Sequence, residues 1–527
     1  MEENITKGCP QGSCCRPGFW NLQYNPLLNL SYTNHMKVVV FADDLIMIKA
    51  ESIREAENIA NVEMNKITAW AKENKIRFNE GRSKVMLMTR RKRKEQEDDI
   101  YMNNKPIPQV HRLKYLGIIF HSKFTLKEHI NYMADKCTKL IFSLSKAVKF
   151  NWGLNHETLK TVYTGGILPL LLYGAPVWIK AMEKGSYKSK LKRVQRLINI
   201  KIAKAYHTVS NEALRILTGL TPITIKIEEA AQFYHLTRGS TKEEAQIDHD
   251  MGVKHWQHPA ETITILTEDN EETSSIQIFT DRSKTEKGVG AGIAIFESGH
   301  HTKSLKCRLN KRCTNNQAKQ LAILRALKYM ENIQTEDKTA MIYMDSQITL
   351  DSLQNGNIHT FLIEEVRKKL TEMRKTNWKI KLRWVKAHRI RGNKLADTLT
   401  KDAATSEDIT ESYKKVPKSV VLRELEGISV EKWQRKWEQS IKGRTTKEYF
   451  PEVAGRLKMK INLTQNFTTI VTGHGKTRSY LHQFKIIEMP TCSCGTRDQT
   501  TNHLLFECEL LNKERDRLKS TASKTNI

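Results

Sequence analysis

The sequence predicts a multidomain protein of the α/β and α+β classes, and three observations support this. The chain has 527 residues, enough for about three or four domains. Apolar residues make up 39% and charged residues 28%, a balance typical of packed cores rather than of disorder. Stretches with apolar residues at every second position, as in strands, alternate with stretches in which they recur at helical spacing.

The first block, residues 1–124, predicts strands and one helix. Apolar runs on both sides of the pair Asp43 and Asp44 predict two short strands with the acids at their turn. A helix is expected from about Ser52 to Asn74, followed by a loop, a strand in SKVMLMT and the basic run RRKRK. A strand pair centred on LKYLGIIF ends the block.

Four more segments follow in the chain. Residues 125–240 are expected to be largely helical, and residues 241–275 are polar and predict a linker. Residues 276–405 predict an α/β domain led by three antiparallel strands, IQIFT, VGAGIAIF and SLKCRLN. The helix NNQAKQLAILRALKYM, the strands MIYMDS and WKIKLRWVKA, and the helix RGNKLADTLTKDA complete that domain. Residues 419–527 predict a small helical region that ends in a Cys/His cluster.

The net charge of +29 indicates a polyanionic partner, most commonly a nucleic acid, with a merely soluble basic protein as the alternative. Nine cysteines in so long a chain do not indicate a disulfide scaffold. The longest apolar stretch, Gly165 to Ile179, is short for a membrane span and contains two prolines, so it predicts a buried core segment. We expect no secretion signal, no membrane partner and an intracellular location, in the nucleus, the cytoplasm or both.

Asp43 and Asp44 are adjacent carboxylates at a predicted turn. Their mutual repulsion is best relieved by a divalent cation, as in the two-metal sites of phosphoryl transfer, whereas a solvated turn is the alternative. Four segments in order resemble the reverse transcriptase palm of non-LTR, Jockey-like retrotransposon polyproteins. They are PQG with Gln11 and Gly12, FADD, SKVMLMT with Lys84, and YLG with Gly117.

That resemblance implies RNA-directed DNA polymerisation, with Mg²⁺ or Mn²⁺ at Asp43 and Asp44. It also implies contacts with the template, the nucleotide or the primer, at Gln11, Gly12, Lys84 and Gly117. YGAPVW and SNEALRILTGLTPI resemble the family's helical thumb and connector, and an ordinary helical core is the alternative. The family's palm carries a third metal-binding aspartate on a strand before PQG. We therefore expect an N-terminally truncated polymerase that does not extend a primer.

Three aspartates of residues 276–405 are candidates for one metal site. Asp281 and Asp345 follow predicted strands and Asp397 lies on the closing helix, an arrangement that lets acids converge. The order of TDxS, the GxG hairpin, NNQA, DS, WVKAH and GNxLAD resembles a type 1 RNase H domain. The resemblance implies Mg²⁺ or Mn²⁺ on the three aspartates, cleavage of RNA in an RNA–DNA hybrid, and a proton-shuttle or product-release role for His388. It also implies substrate contacts at Asn316, Gln317 and Asn393.

Three departures from that pattern put cleavage in doubt. Lys319 stands where the family has a metal-bridging glutamate, and a cation there repels metal ions. We expect its ammonium to enter the cluster and to pair with Asp281 or Asp345. The loop at His388 is one residue shorter than the family's, and Arg282 replaces a glycine, which is costly if that position needs a positive φ.

The C-terminal cluster has the pattern C-x-C-x8-H-x4-C, formed by Cys492, Cys494, His503 and Cys508. Three thiolates and one imidazole suit tetrahedral Zn²⁺, as in a zinc knuckle. Reduced surface cysteines with a helix-facing histidine are the alternative, because C-x-C is tighter than the usual spacing. The tail segments TGHGKTRSYLHQFKI and HLLFEC also resemble the same retroelement family.

Together these patterns predict a reverse transcriptase and RNase H polyprotein fragment that binds RNA, DNA and RNA–DNA hybrids. Retained enzymatic activity is left open. A co-opted, non-catalytic binder of RNA or hybrid is the first alternative, and a pseudogene product is the second.

Overall fold

The structure is a computed structural model that describes residues 16–34, 36–49, 53–89, 99–147, 155–238, 246–249, 251, 274–355, 360–386 and 391–524. The chain divides into two compact units, one formed by residues 1–224 with 461–527 and the other by residues 225–460. The predicted combination of α/β and α+β parts is confirmed, since one unit holds antiparallel hairpins with helices and the other a mixed six-stranded sheet with helices.

The N-terminal part of the first unit holds two antiparallel hairpins that carry the predicted motifs. Its elements are α1 (Arg16–Leu28), β1 (Met36–Phe41), β2 (Asp44–Lys49), α2 (Ile53–Glu73), β3 (Tyr101–Met102), β4 (Lys105–Pro106), β5 (Arg112–Tyr115) and β6 (Ile118–His121). Both predicted strand pairs and the predicted helix are therefore confirmed. The predicted strand in SKVMLMT is wrong, because only Val85 pairs, in a single bridge to Gln109. On the Ser83 side Pro108 has no N–H with which to extend the pairing, and on the other side Arg112 already pairs with His121.

The described residues of 127–147 and 155–218 are largely helical, as the sequence predicts. The elements are α3 (Lys127–Ala147), α4 (His156–Val162), a π-helical turn (Tyr163–Ile167), α5 (Leu168–Leu172), α6 (Ala175–Trp178), a 3₁₀ turn (Ile179–Glu183), α7 (Gly185–Ile202) and α8 (Asn211–Thr218). Within the apolar stretch, Ile167, Leu171 and Trp178 are buried. Among the described helices no single one is long and apolar enough to cross a membrane, whereas one bent pair, residues 156–172 with 175–183, meets those two criteria jointly.

The second unit begins with α9 (Ile223–Arg238), which starts just before the division, and contains a six-stranded sheet. Its further elements are β7 (Ile247–Asp248), β8 (Ile276–Lys284), β9 (Val289–Glu297), β10 (His300–Leu309), α10 (Asn315–Met330), β11 (Thr339–Met344), α11 (Gln347–Gln354), α12 (Phe361–Lys375), β12 (Lys379–Trp384), α13 (Arg391–Thr405), β13 (Glu411–Tyr413), β14 (Val416–Pro417), α14 (Lys418–Glu438), α15 (Arg444–Tyr449) and α16 (Val453–Lys458). The sheet order is β12-β11-β8-β9-β10-β13.

Helices cover both faces of this sheet. Strands β8, β9 and β10 run antiparallel, and β11 and β12 run parallel to β8. On one face α10, α11 and α12 contribute to a large apolar core, and on the other α13 packs through Ala396 and Leu399 against Phe279. The three leading antiparallel strands are confirmed, whereas α11 and α12 had not been predicted.

The tail returns to the first unit. Its elements are α17 (Gln465–Thr472), α18 (Arg478–Gln483), a π-helical turn (His503–Glu507), a 3₁₀ turn (Glu509–Leu511) and α19 (Asn512–Lys524).

Candidate active site and metal cluster

Asp281 and Asp345 lie side by side because their strands are parallel neighbours. In the register of β8 and β11, Thr280 stands opposite Met344, so the next residue of each strand is one of the two aspartates. Asp345 then leads directly into Ser346, whose hydroxyl caps α11. The two carboxylates therefore meet at the same edge of the sheet.

Glycines in β9 bring the helix that carries Asp397 to the same edge. A Cβ at Gly290 would lie 2.2 Å from the Thr400 carbonyl oxygen, and one at Gly292 would lie 2.5 Å from that of Ala396. Gly292 stands opposite Asp281 in the register of β8 and β9. Only glycine permits so close a contact between strand and helix, so the GxG hairpin positions α13 and its carboxylate.

Lys319 enters this cluster from α10. The helix begins with a capping box in which Thr314 and Gln317 bind each other's backbone N–H groups. The Lys319 ammonium lies 2.9 Å from Asp345 Oδ1, and the side chains are only 9% and 18% exposed. Of the two partners that the sequence left open for Lys319, Asp281 and Asp345, the structure shows Asp345.

The electrostatics of Asp281 report the same convergence. Burial raises the pKa of its carboxyl, and the neighbouring Asp345 and Asp397 raise it further. The Arg282 backbone N–H, 2.7 Å from Asp281 Oδ1, and the Lys319 ammonium act in the opposite direction. These interactions place three carboxylates and one ammonium in one partly buried group.

A second lysine, Lys401, touches the group and was missed in the sequence. Its ammonium lies 2.7 Å from Asp397 Oδ2, one helical turn away, and it is largely exposed. The hydrogen bond to Asp397, and after it the charges of Asp397 and Asp281, raise the pKa of Lys401. An i,i+4 acid–base pair is visible in sequence, but such pairs are common on helix surfaces.

The predicted substrate contacts of this domain differ in accessibility. Asn316 is exposed on the first turn of α10, whereas Asn393 is buried. Gln317 is also buried, and its Nε2 donates to Asp248 Oδ2 at 2.6 Å. A substrate contact at Gln317 would require these internal bonds to break. His388 lies outside the described residues.

Arg282 does not incur the backbone cost that was considered for it. It lies in the extended strand β8, opposite Ala291, and is not among the residues with positive φ. The exchange of glycine for arginine is therefore compatible with the strand.

Asp43 and Asp44 lie at the exposed turn of the β1–β2 hairpin, as predicted. Ala42 adopts φ 52° there, a conformation that costs about 1–2 kcal/mol for an L-residue, and Trp20 Nε1 donates to its carbonyl at 2.6 Å. Burial, and then the Asp44 carboxylate, raise the pKa of the Tyr115 hydroxyl. Asp44 therefore lies within electrostatic range of Tyr115, the first residue of the YLG motif.

Gly117 lies in the turn of that second hairpin. It adopts φ 80°, and a Cβ would lie 3.0 Å from the Tyr173 ring. Tyr173 donates a hydrogen bond to the Leu116 carbonyl at 2.7 Å. Lys84 is exposed, with its ammonium 3.4 Å from the Gly81 carbonyl oxygen. Gln11, Gly12 and the basic run RRKRK lie outside the described residues.

The tail brings its four predicted ligands together. The ligand atoms of Cys492, Cys494, His503 and Cys508 all lie within 4.8 Å of one another. The sulfurs of Cys492 and Cys508 are 3.8 Å apart, far longer than a disulfide, and Cys494 Sγ lies 3.2 Å from His503 Nε2. The cluster can hold a metal ion.

Local structure explains how so tight a C-x-C motif forms a site. Gly495, at φ 81°, closes a turn in which its N–H donates to the Cys492 carbonyl at 2.9 Å. The Thr496 hydroxyl, 3.1 Å from the sulfur, lowers the pKa of the Cys494 thiol to about 6, which favours the thiolate. Glu507, which the sequence had not singled out, lies 3.6 Å from His503 Nδ1.

Two separate parts of the chain match known protein families. Residues 273–405 match the family model of RNase H, and residues 2–120 match that of the reverse transcriptase (RNA-dependent DNA polymerase). The chain is 27% identical over 245 residues to a putative 115 kDa protein of the type-1 retrotransposable element R1DM from Drosophila melanogaster, covering 46% of this chain and 24% of that protein. It is 27% identical over 248 residues to a retrovirus-related Pol polyprotein from a type-1 retrotransposable element R1 of Nasonia vitripennis, covering 46% and 60%.

The chain therefore spans about a quarter of the length of the first relative and 60% of the second. Among solved structures, the N-terminal RNase H domain of a Mycobacterium tuberculosis protein is 19% identical, with a TM-score of 0.21, and the match covers 24% of this chain and 98% of that one. The prototype foamy virus protease–reverse transcriptase is 17% identical, with a TM-score of 0.24, covering 28% and 23%.

Proposed function

Because the chain belongs to the reverse transcriptase and RNase H polyproteins of non-LTR retrotransposons, we propose that its RNase H domain binds RNA–DNA hybrids and cleaves them poorly. The observation that carries this proposal is the ion pair of Lys319 with Asp345, 2.9 Å long and largely buried. The domain keeps the family's fold, while a fixed ammonium lies on a carboxylate that the family uses for metal.

The residues at this site do not fit a pair of Mg²⁺ ions. Three aspartates with Lys319 and Lys401 carry a summed formal charge of −1, and Asp345 Oδ1 already has its cation. A divalent ion would have to displace a buried ammonium before it could bind that oxygen. We therefore derive no cleavage step through metal in the wild-type chain.

Charge supports binding without metal. The chain carries a net charge of +29, and attraction to phosphates does not require a divalent ion in the site. Replacing a carboxylate by Lys319 also lessens the repulsion between the cluster and a phosphodiester backbone. The proposed ligand is thus a hybrid held through its backbone, inside the cell, in the nucleus or the cytoplasm.

The tail cluster is proposed to hold one structural Zn²⁺. With a Zn–S distance of about 2.3 Å, two thiolates of a tetrahedral site lie about 3.8 Å apart. The sulfurs of Cys492 and Cys508 have that separation, and the fourth ligand is a nitrogen rather than water. Four protein ligands leave no open position, so the metal serves folding.

For Asp43 and Asp44 we propose metal binding alone, without primer extension. Both carboxylates are exposed at their turn and accessible to Mg²⁺ or Mn²⁺.

The hybrid proposal is tested by binding of the full chain to one labelled sequence, prepared as RNA–DNA hybrid and as duplex DNA. Fluorescence anisotropy should report tighter binding of the hybrid, equal with and without Mg²⁺, and gels should show little RNA cleavage. Rapid RNA cleavage in Mg²⁺, or hybrid binding that disappears when Mg²⁺ is left out, would refute the proposal.

A further inference from the structure

Residues 203–208, the connection between α7 and α8, are held by side chains from the tail. Thr468 Oγ1 donates to the Ala203 carbonyl oxygen at 2.6 Å, and Gln465 Nε2 donates to the Tyr206 hydroxyl at 3.1 Å. Both donors lie on α17, 265 and 259 residues further along the chain but in the same compact unit. The connection is thus fixed by bonds of long sequence separation.

A hydroxyl–imidazole group holds the end of this connection at Thr208. The Tyr480 hydroxyl donates to Thr208 Oγ1 at 2.6 Å, and His474 Nδ1 lies 3.0 Å from both hydroxyl oxygens. The flanking glycines fix the histidine, since Gly473 ends α17 at φ 70° and a Cβ at Gly475 would lie 2.0 Å from Thr469 Cγ2. The two glycines around His474 therefore allow the imidazole to contact Thr208 and Tyr480.

Gln499 joins this group to the metal cluster. Its backbone N–H donates to the carbonyl of Pro490, two residues before Cys492, at 2.8 Å. Its Oε1 and backbone oxygen accept the N–H groups of Arg478 and Ser479, at 3.0 and 3.3 Å. These N–H groups belong to the first turn of α18, where Thr477 supplies no side-chain cap. Tyr480 lies on the same turn.

We propose that the metal cluster is an intramolecular brace for residues 203–208. The ion fixes the segment between Cys492 and Cys508, which contains Gln499. Gln499 in turn binds the N–H groups at the start of α18, and Tyr480 on that helix hydrogen-bonds to Thr208. This part of the tail buries little apolar surface, because Phe484, Ile486 and Phe506 are 54%, 65% and 69% exposed. A segment with so little buried apolar surface depends on its metal for a fixed structure. This inference rests on the proposed zinc site.

The test measures zinc content and amide hydrogen exchange in the full chain. Removal of zinc by a chelator should speed exchange at residues 205–209 about tenfold, the change for loss of one hydrogen bond of about 1.4 kcal/mol. Residues 318–327 of α10, in the other unit, should be unaffected. Tyr480→Phe should keep one zinc per chain and show the faster exchange without chelator, whereas the exposed Tyr101→Phe should resemble the wild type.

The outcomes separate the two proposals. Wild-type protein without zinc overturns both the metal site and its bracing effect. Zinc that is bound and then removed, with no change at residues 205–209, overturns the brace alone. An unchanged exchange rate in Tyr480→Phe also overturns it, because the hydroxyl would then hold nothing.

Discussion

Lys319→Glu should convert the stability of the RNase H domain from metal-independent to metal-dependent. The ammonium lies 2.9 Å from Asp345 Oδ1, so the Coulomb attraction is about 6 kcal/mol at an effective dielectric constant of about 20. Desolvation of both groups offsets part of it, and removing one partner of such a pair typically costs about 3–5 kcal/mol. The glutamate adds repulsion from Asp281 and Asp345.

We therefore expect Lys319→Glu to unfold more easily in Mg²⁺-free buffer, with a Tm lower on the order of 10 °C for a unit of this size. Mg²⁺ at about a hundred times its dissociation constant should restore about 2.7 kcal/mol, because it binds only the folded site. Differential scanning calorimetry of the full chain, with and without Mg²⁺, measures both effects. The wild type should not respond.

Lys328→Glu makes the same charge change on an exposed turn of α10 and is the matched control. Lys319→Met, of similar length but neutral, should respond to Mg²⁺ less than the glutamate variant. If Mg²⁺ stabilises the wild type as much as Lys319→Glu, the lysine does not replace a metal ion and the reasoning is refuted.

Three further predictions concern the same elements. Gly292→Ala should destabilise the domain by about 1–3 kcal/mol in chemical denaturation, because its Cβ would lie 2.5 Å from the Ala396 carbonyl oxygen, whereas Gly427→Ala, with no atom within 4 Å, should stabilise α14 by about 0.5–1 kcal/mol. Asp281→Asn should raise the Tm at pH 7, since burial and the neighbouring carboxylates raise the pKa of Asp281. Its gain should shrink as the pH falls and disappear below about 4, the ordinary pKa of an aspartate, where the carboxyl is protonated in both states; the exposed Asp351→Asn should show no such gain. Metal analysis of the reduced chain should find one zinc, lost when Cys492 is changed to serine; a content well below one refutes the site.

The strands and the carboxylate cluster could be predicted from sequence because their signals are local. Alternating apolar residues predict β8 and β9. Because β8 and β11 are parallel neighbours, Asp281 and Asp345 come to lie at the same edge of the sheet. Helix α12 was missed although a signal existed. Thr360 caps it, and Leu362, Val366 and Leu370 repeat every four residues on its buried face.

Other features lacked any local signal. The bonds of Gln499 to Arg478, and of Tyr480 to Thr208, join residues 21 and 272 positions apart, and only the folded tail brings them together. The failed strand at Lys84–Thr89 shows the converse. Its apolar pattern was suitable, but its pairing stops at the single bridge of Val85 with Gln109, and Arg112 is already paired within β5–β6.

Manganese binding to the wild-type chain tests the central claim most directly, because Mn²⁺ occupies Mg²⁺ sites and its free form is measured by electron paramagnetic resonance. We predict that Asp345→Asn leaves the amount of bound Mn²⁺ unchanged, since Lys319 already neutralises that carboxylate. Any Mn²⁺ held by the polymerase motif should instead be lost in Asp43→Asn. Stoichiometric Mn²⁺ that is lost in Asp345→Asn and retained in Asp43→Asn would contradict the account.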